Sequence, residues 1–320
     1  MFILFSIPSA YSQNIEYLGS TLWSGVCDVK IQGQYAYCAF FNGLMILDVS
    51  DSTSPSFVGQ YYIWGDWDEF RRREGQKLAI SGNYVYFAAD YEGLNIIDVS
   101  DPSNPILASQ YLTPSYATDV FVDDTLAYVT CQSASLEILN IADAQNPILL
   151  GHCGILSNPR GVWVRGNYAY LADDLGGLVT VDVSNPVNPS VVGSLIINDF
   201  ALDIMVIDTL AYIADGWGGL AITNISNPVN PTFIGRWSNP GNVWVDGLYV
   251  SGHYAYLATD EGLWIIDVSE PATPIYLGNL NRGWELDVFV VGNIAYAAAL
   301  TFGIEAIDVT DPANARLIGE

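Results

Sequence analysis

The chain has 320 residues, of which 51% are hydrophobic and 14% charged, so it can bury a sizeable core as one large domain or two smaller ones. Its formal net charge of −25 argues against binding to nucleic acid or to an anionic membrane surface, because both need a basic footprint. No stretch holds about eighteen uninterrupted apolar residues, so we expect no membrane insertion.

The first twelve residues predict the end of a secretory signal peptide. Phe2–Ile7 is a short apolar run, and Ala10 and Ser12 place small residues at −3 and −1 of a cut before Gln13. The basic n-region is missing, so the signal would start upstream; a frayed apolar N terminus is the alternative. We expect a secreted, periplasmic or cell-surface protein whose folded part is 13–320.

The four cysteines show neither a metal-binding nor a disulfide pattern. They form no CxxC and no metal-like spacing with either histidine, and they are too few for a disulfide framework. We predict that they are small buried hydrophobic residues. They are Cys27, Cys38, Cys131 and Cys153.

A self-similar unit recurs seven times along the chain. Each copy contains a triplet similar to Tyr-Ala-Tyr, whose second aromatic residue is Tyr37, Tyr86, Tyr128, Tyr170, Tyr212, Tyr256 or Tyr296. The intervals between them are 49, 42, 42, 42, 44 and 40 residues. Every unit holds four strand-like runs, A to D, which in the third unit are 119–122, 126–130, 136–141 and 147–151.

This period predicts an all-β fold, a seven-bladed β-propeller of four-stranded antiparallel blades. Four strands in about 42 residues make one propeller blade. Strand C reads as a continuous apolar run, such as LWIIDV, which is typical of a sheet that packs through both faces.

Strand C of every unit closes with an Asp or Asn before a turn rich in Ser and Pro. A side-chain oxygen at this position can accept backbone N–H groups of the turn. We therefore predict a structural rather than a catalytic role for the set. Its members are Asp48, Asp98, Asn140, Asp182, Asn224, Asp267 and Asp308.

The strand C phrases LMILD, LNIID, LVTVD and LWIID resemble the LVIVD repeat, from about residue 15 to residue 319. Copies three and five depart from the pattern, with Asn at the final position. The resemblance implies an extracytoplasmic propeller and brings no catalytic residues with it. Two segments, 15–20 and 315–320, compete as the outer strand that would complete the ring.

Loops can be assigned to one of the two ends of a propeller, because strand A lines the channel and strand D lies outside. The D–A connections and B–C loops share one end, here named the upper face; the A–B hairpins and C–D turns share the lower face. The longest D–A connection runs from Tyr61 to Lys77. Most tryptophans and basic residues fall on the upper face, which favours recognition there.

We predict that the upper face binds a glycan or an extracellular protein partner, as a monomeric binding or scaffold module without a cofactor. Aromatic planes beside Arg and acids suit sugar rings or interface anchors. The alternative is that these tryptophans only cap blade interfaces and that the arginines pair locally. The predicted contact residues are Trp64, Trp67, Arg71, Arg72, Arg73, Arg160, Trp217, Arg236, Trp237, Arg282 and Trp284.

A second hypothesis is a calcium-dependent hydrolase of the lactonase or esterase kind. A ring of carboxylates at the channel mouth could hold Ca²⁺, which takes six to eight oxygen ligands and could polarise a carbonyl. The candidate ligands share one repeat position and are Asp28, Asp119, Asp203 and Asp287. The equivalent positions in the other units are Lys77, Gly161 and Gly247, so the ring is interrupted. The candidate bases are Glu285, Asp260 and Asp173.

A third hypothesis is a purely structural module of a longer surface protein. The chain stops just after a D strand, which leaves this open.

Overall fold

The computed structural model describes residues 25–63, 76–132, 135–154, 157–197, 199–238, 241 and 243–320. The predicted signal segment, the first candidate outer strand and five predicted contact residues lie outside these ranges. Those five are Trp64, Trp67, Arg71, Arg72 and Arg73.

The described chain forms seven four-stranded antiparallel sheets, each from four consecutive strands, which confirms the predicted propeller. Blade 1 comprises β1 (Val26–Gln32), β2 (Tyr35–Phe40), β3 (Gly43–Asp48) and β4 (Ser56–Tyr62). Blade 2 comprises β5 (Leu78–Ser81), β6 (Tyr84–Ala88), β7 (Leu94–Asp98) and β8 (Ile106–Tyr111). Blade 3 comprises β9 (Ala117–Asp123), β10 (Leu126–Cys131), β11 (Ser135–Asn140) and β12 (Ile148–Cys153).

The remaining blades repeat this order. Blade 4 comprises β13 (Gly161–Arg165), β14 (Tyr168–Ala172), β15 (Leu178–Asp182) and β16 (Ser190–Leu195). Blade 5 comprises β17 (Asp203–Ile207), β18 (Leu210–Ala214), β19 (Leu220–Asn224) and β20 (Thr232–Trp237). Blade 6 comprises β21 (Val245–Ser251), β22 (Tyr254–Thr259), β23 (Gly262–Asp267) and β24 (Ile275–Asn281). Blade 7 comprises β25 (Glu285–Val291), β26 (Ile294–Ala299), β27 (Gly303–Asp308) and β28 (Arg316–Gly319), with one 3₁₀ turn at Pro312–Asn314 before β28.

The core lies between neighbouring blades, because strands B and C are apolar on both sides and buried on both sides. One such cluster joins Val29, Cys38 and Met45 of blade 1 to Ala298 and Ile304 of blade 7. Burying apolar surface contributes roughly 25 cal/mol per Å², so seven such interfaces stabilise the ring. All four cysteines are buried and unbridged, as predicted.

The turns of the lower face repeat in all seven blades. Every A–B hairpin starts with a residue whose φ lies between 51° and 63°, and this residue is Gly33, Gly82, Asp124, Gly166, Asp208, Gly252 or Gly292. Every Asp or Asn that closes strand C accepts the backbone N–H two residues later, at 2.8–3.0 Å. The predicted structural role of these side chains is thereby confirmed.

Strand D carries a glycine where the C–D turn of the next blade approaches. A Cβ added there would lie 2.2–2.9 Å from a carbonyl oxygen of that turn, so only glycine fits without a shift. These residues are Gly59, Gly151, Gly193, Gly235, Gly278 and Gly319. Gly319 meets Ser52 of blade 1, so β28 closes the ring by the same contact that joins other neighbours. In blade 2 the equivalent Ser109 donates its hydroxyl to the Ala144 carbonyl at 2.6 Å.

Candidate functional site

A pocket of about 310 Å³ opens on the upper face beside the channel mouth. Its lining residues come from the D–A connections, the B–C loops and the starts of β21 and β25. They are Arg160, Leu202, Trp217, Trp244, Asp246, Asp260, Trp284 and Leu286. Leu202, Asp246 and Leu286 each precede a strand A residue at the channel mouth, which places the pocket next to the Asp ring.

Aromatic side chains form the walls of this upper-face pocket. Trp217, in the B–C loop of blade 5, is half exposed and meets Trp244 edge-on, with ring centroids 5.1 Å apart and an interplanar angle of 76°. Phe200 also contacts Trp244, with ring centroids 5.7 Å apart. Trp284 packs its partly buried ring on the cluster between blades 1 and 2.

Asp246 links two of these tryptophans. The indole N–H of Trp244 donates to its Oδ1 at 2.8 Å, and the indole N–H of Trp284 donates to its Oδ2. Burial raises the pKa of Asp246 to about 7, although the two indole hydrogen bonds favour its charged form and hold the shift back. One carboxyl group thus fixes the relative position of two pocket walls.

The remaining polar groups of the pocket come from two other connections. Asp260, in the B–C loop of blade 6, accepts the backbone N–H of Trp244 at 2.8 Å. Arg160, in the connection before blade 4, lies 4.0 Å from Asp174 between Nη2 and Oδ2. The pocket therefore presents both signs of charge around its indole rings.

Arg236 holds the loop that carries Trp217. Its Nη1 donates to the fully buried Asp215 Oδ2, and to the Gly218 carbonyl at 2.9 Å. These bonds tie the B–C loop of blade 5 to the end of strand D of the same blade. The sequence predicted Arg236 as a contact residue, whereas the structure makes it a support for Trp217.

The four predicted calcium ligands lie together at the channel mouth, where they join blades. Asp28 Oδ2 accepts Leu78 N–H at 2.7 Å, Asp119 Oδ2 accepts Val162 N–H at 2.8 Å, and Asp203 Oδ2 accepts Leu248 N–H at 3.0 Å. Each bond runs from strand A of one blade to strand A of the next, and the four Asp residues are at most 7% exposed.

Two lysines lie among these carboxylates. Lys30 Nζ donates to Asp28 and, at 2.9 Å, to Asp287 Oδ2, while Lys77 Nζ lies 2.6 Å from Asp203 Oδ1. Burial opposes the charge of both lysines, but the surrounding carboxylates outweigh it and raise the pKa of each. In the part of the chain that the structure describes, no three His, Cys, Asp or Glu side chains are grouped to hold a metal ion. The calcium site stays a prediction.

The LVIVD repeat model matches residues 25–62, 72–113, 114–154, 158–196, 200–239 and 241–282. The chain belongs to the LVIVD repeat family. The matches coincide with the first six blades of this LVIVD propeller, and the seventh unit forms the same sheet without a match. No curated protein matches the chain.

Solved structures share the fold of this LVIVD propeller at low identity. The β-propeller domain of Cps50 (Swd1) from Myceliophteria thermophila has a TM-score of 0.71 at 11% identity, covering 90% of this chain and 98% of that one. A Lactobacillus plantarum protein also has a TM-score of 0.71, at 14% identity with 92% and 93% covered. A functionally unknown protein from Desulfotomaculum acetoxidans has 0.66, at 13% identity with 82% and 87% covered. At such identities the likeness shows the fold alone.

Two predicted contact residues lie elsewhere in the LVIVD propeller. Trp237 is the last residue of β20, is 6% exposed, and packs on Trp264 with ring centroids 5.5 Å apart. The sequence grouped Trp237 with the loops of the upper face, but β20 extends to this residue and its ring packs in the core between blades 5 and 6. Arg282 bonds the buried Glu305 at 3.0 Å and Glu320 at 2.7 Å, so it neutralises carboxylates of blade 7.

Only one of the three candidate bases lines the upper-face pocket. Asp260 does so, whereas Glu285 is fully buried in β25, and burial together with the nearby Glu305 raises its pKa. Asp173 is 2% exposed and accepts the backbone N–H groups of Ser157 and Asn158.

The helices of the described ranges include none that is long and apolar enough to cross a membrane.

Proposed function

We propose that this LVIVD propeller is an extracytoplasmic binding module that takes a glycan in the upper-face pocket. The observation behind the proposal is the convergence of three indole rings with Asp260 and Arg160 in one concavity of about 310 Å³. Indole faces match the apolar faces of sugar rings, and carboxylate and guanidinium groups match their hydroxyls. Pockets near 300 Å³ are at the small end for ligand sites, which suits about one or two sugar units.

The pocket is preorganised, which favours binding over a merely structural role. Asp246 fixes Trp244 and Trp284, and the Arg236–Asp215 pair fixes the loop of Trp217. A ligand would then lose little free energy in ordering the walls. Trp217 packs edge-on against Trp244 and still keeps half its surface exposed, so its ring is accessible to a ligand.

The decisive experiment is a glycan array followed by calorimetric titration of the best glycan against two variants. Trp217→Ala should weaken binding about tenfold or more, because buried aromatic anchors contribute more than 1 kcal/mol. Leu175→Ala is the matched control: Leu175 holds the equivalent B–C position in blade 4, is 66% exposed, and does not line the pocket. Unchanged affinity in Trp217→Ala, or no glycan bound at all, would overturn the proposal.

The long connection 61–77 extends the proposal to the residues predicted from sequence. The triple variant Trp64→Ala, Trp67→Ala, Arg72→Ala should no longer bind the glycan, while its melting temperature stays unchanged. If this variant still binds the glycan, the binding site is restricted to the upper-face pocket.

A further inference from the structure

A second cavity, of about 270 Å³, lies inside the channel and is lined by all seven A strands. It is separate from the upper-face pocket and shares no lining residue with it. The carboxylates and lysines at the channel mouth form one end of this channel cavity. Side chains alternate along a strand, so the residue two positions after the mouth position of each A strand also faces inward. These residues form the wall of the channel cavity.

The wall is largely aromatic. At this position five blades carry Phe121, Trp163, Met205, Tyr249 and Phe289. Neighbouring rings touch: the centroids of Phe121 and Trp163 are 5.2 Å apart, and those of Tyr249 and Phe289 are 4.8 Å apart. All five residues keep partial exposure. A propeller needs no such rings at its axis, since its core lies between the blades.

The charges at the mouth do not balance. Four carboxylates meet two ammonium groups, which leaves two negative charges in excess. Asp28 and Asp287 share one lysine, because Lys30 Nζ pairs with Asp28 and lies 2.9 Å from Asp287 Oδ2. Asp203 pairs with Lys77. One carboxylate is then left whose charge has no lysine within 4 Å among the described residues.

That charge belongs to Asp119. It accepts the backbone N–H groups of Val120 and Val162, at 2.7 Å and 2.8 Å, and is 7% exposed. Among the described residues it has no ion pair within 4 Å, unlike the other three carboxylates of the mouth. Lys77 and Lys30 act on Asp119 only from beyond 4 Å. A cation that enters beside this buried carboxylate would therefore supply the close countercharge that it lacks.

We propose that the channel cavity binds a small organic cation, a primary or secondary amine with one aromatic or apolar ring. Its ammonium group pairs with Asp119, and its ring lies against Phe121 and Trp163. Aromatic faces attract ammonium groups, most strongly when water is excluded, so wall and mouth favour the same ligand. The cavity volume limits the ligand to about one ring with a short chain.

The test compares three probes of equal shape, phenethylamine, 2-phenylethanol and phenylacetate, titrated by calorimetry at pH 7.5 into the purified chain. The amine should bind at least about tenfold more tightly than the alcohol, and phenylacetate should not bind. Equal binding of amine and alcohol, tighter binding of phenylacetate on the lysines, or no binding of any probe would overturn the proposal.

Variants separate this site from the upper-face pocket. Asp119→Asn keeps an oxygen for Val162 N–H and should weaken amine binding about tenfold or more, while Trp217→Ala should leave it unchanged. Wild-type amine affinity in Asp119→Asn would contradict the assignment of the ammonium group. Should Asp119→Asn fail to fold, Trp163→Ala serves instead, with an expected loss of about threefold or more from the cation–π contact.

Discussion

On the lower face, all seven blades use the same turn chemistry, whereas on the upper face equivalent positions differ from blade to blade. The B–C loops of blades 2, 4 and 5 carry Tyr91, Leu175 and Trp217 at one position. All A–B hairpins begin with a left-handed Gly or Asp, and all C strands end in the same hydrogen bond. Repetition thus marks what the ring needs to fold, and departures from it coincide with the face on which we propose binding.

The strongest test of this comparison removes a support that only one blade has. Arg236→Met leaves the fully buried Asp215 without its cation and should lower the free energy of unfolding by about 3–5 kcal/mol. Urea denaturation gives the value. The double variant with Asp215→Asn should recover part of the loss, and if it recovers none, the ion pair is not the cause.

A lower-face contact should cost less when it is broken. In Gly59→Ala the new Cβ would lie 2.2 Å from the Pro102 carbonyl oxygen, and the overpacking should destabilise the propeller by about 1–3 kcal/mol. Ser109→Ala, at the equivalent position of blade 2, already has room for a Cβ and loses one hydrogen bond, so about 1 kcal/mol is expected. Equal losses in both variants would show that this close approach is not restrictive.

The Asx turns predict a smaller, pH-dependent effect. Hydrogen bonds from Thr310, together with Arg316, lower the pKa of Asp308 from about 3.8 to about 2. A lowered native pKa contributes stability above pH 3.8 that is lost as the pH falls towards 2. Asp308→Asn should therefore flatten the fall in melting temperature between pH 4 and pH 2. Asn is already native in this turn at Asn140 and Asn224, so an unchanged slope would mean that Asp308 does not contribute.

The smallest expected effect is that of a chelator. Because Lys30 and Lys77 pair with the carboxylates of the channel mouth, EDTA should leave the melting temperature unchanged. Elemental analysis of protein purified without chelator accompanies the melt. Stoichiometric calcium whose removal lowers the melting temperature would revive the hydrolase hypothesis.

The fold was predictable because the seven-fold period and the strand C phrases are local signals that need no knowledge of contacts. The site was predictable only in part. Trp217 and Trp284 were assigned correctly to the pocket's end of the molecule, but Asp246 was missed, because its role depends on two indoles that lie far apart in sequence. A Trp-x-Asp spacing at Trp244 was the available signal.

Lys30 shows a different reason for a missed prediction. It lies two residues after Asp28 on the same side of β1, so strand alternation alone placed it towards the channel. Whether its ammonium group would reach the carboxylates depended on side-chain length and on the diameter of the ring, which only the structure supplies.

Because every sheet consists of four consecutive strands, each blade can form soon after its own residues leave the ribosome. The contacts of β1 with β25 are the exception, since they join residues more than 250 positions apart. Until blade 7 is made, the flank of blade 1 that bears Val29, Cys38 and Met45 has no neighbour. Late in synthesis, the ring is therefore still open and the apolar flank of blade 1 is exposed. This is the stage at which the protein most needs protection from aggregation.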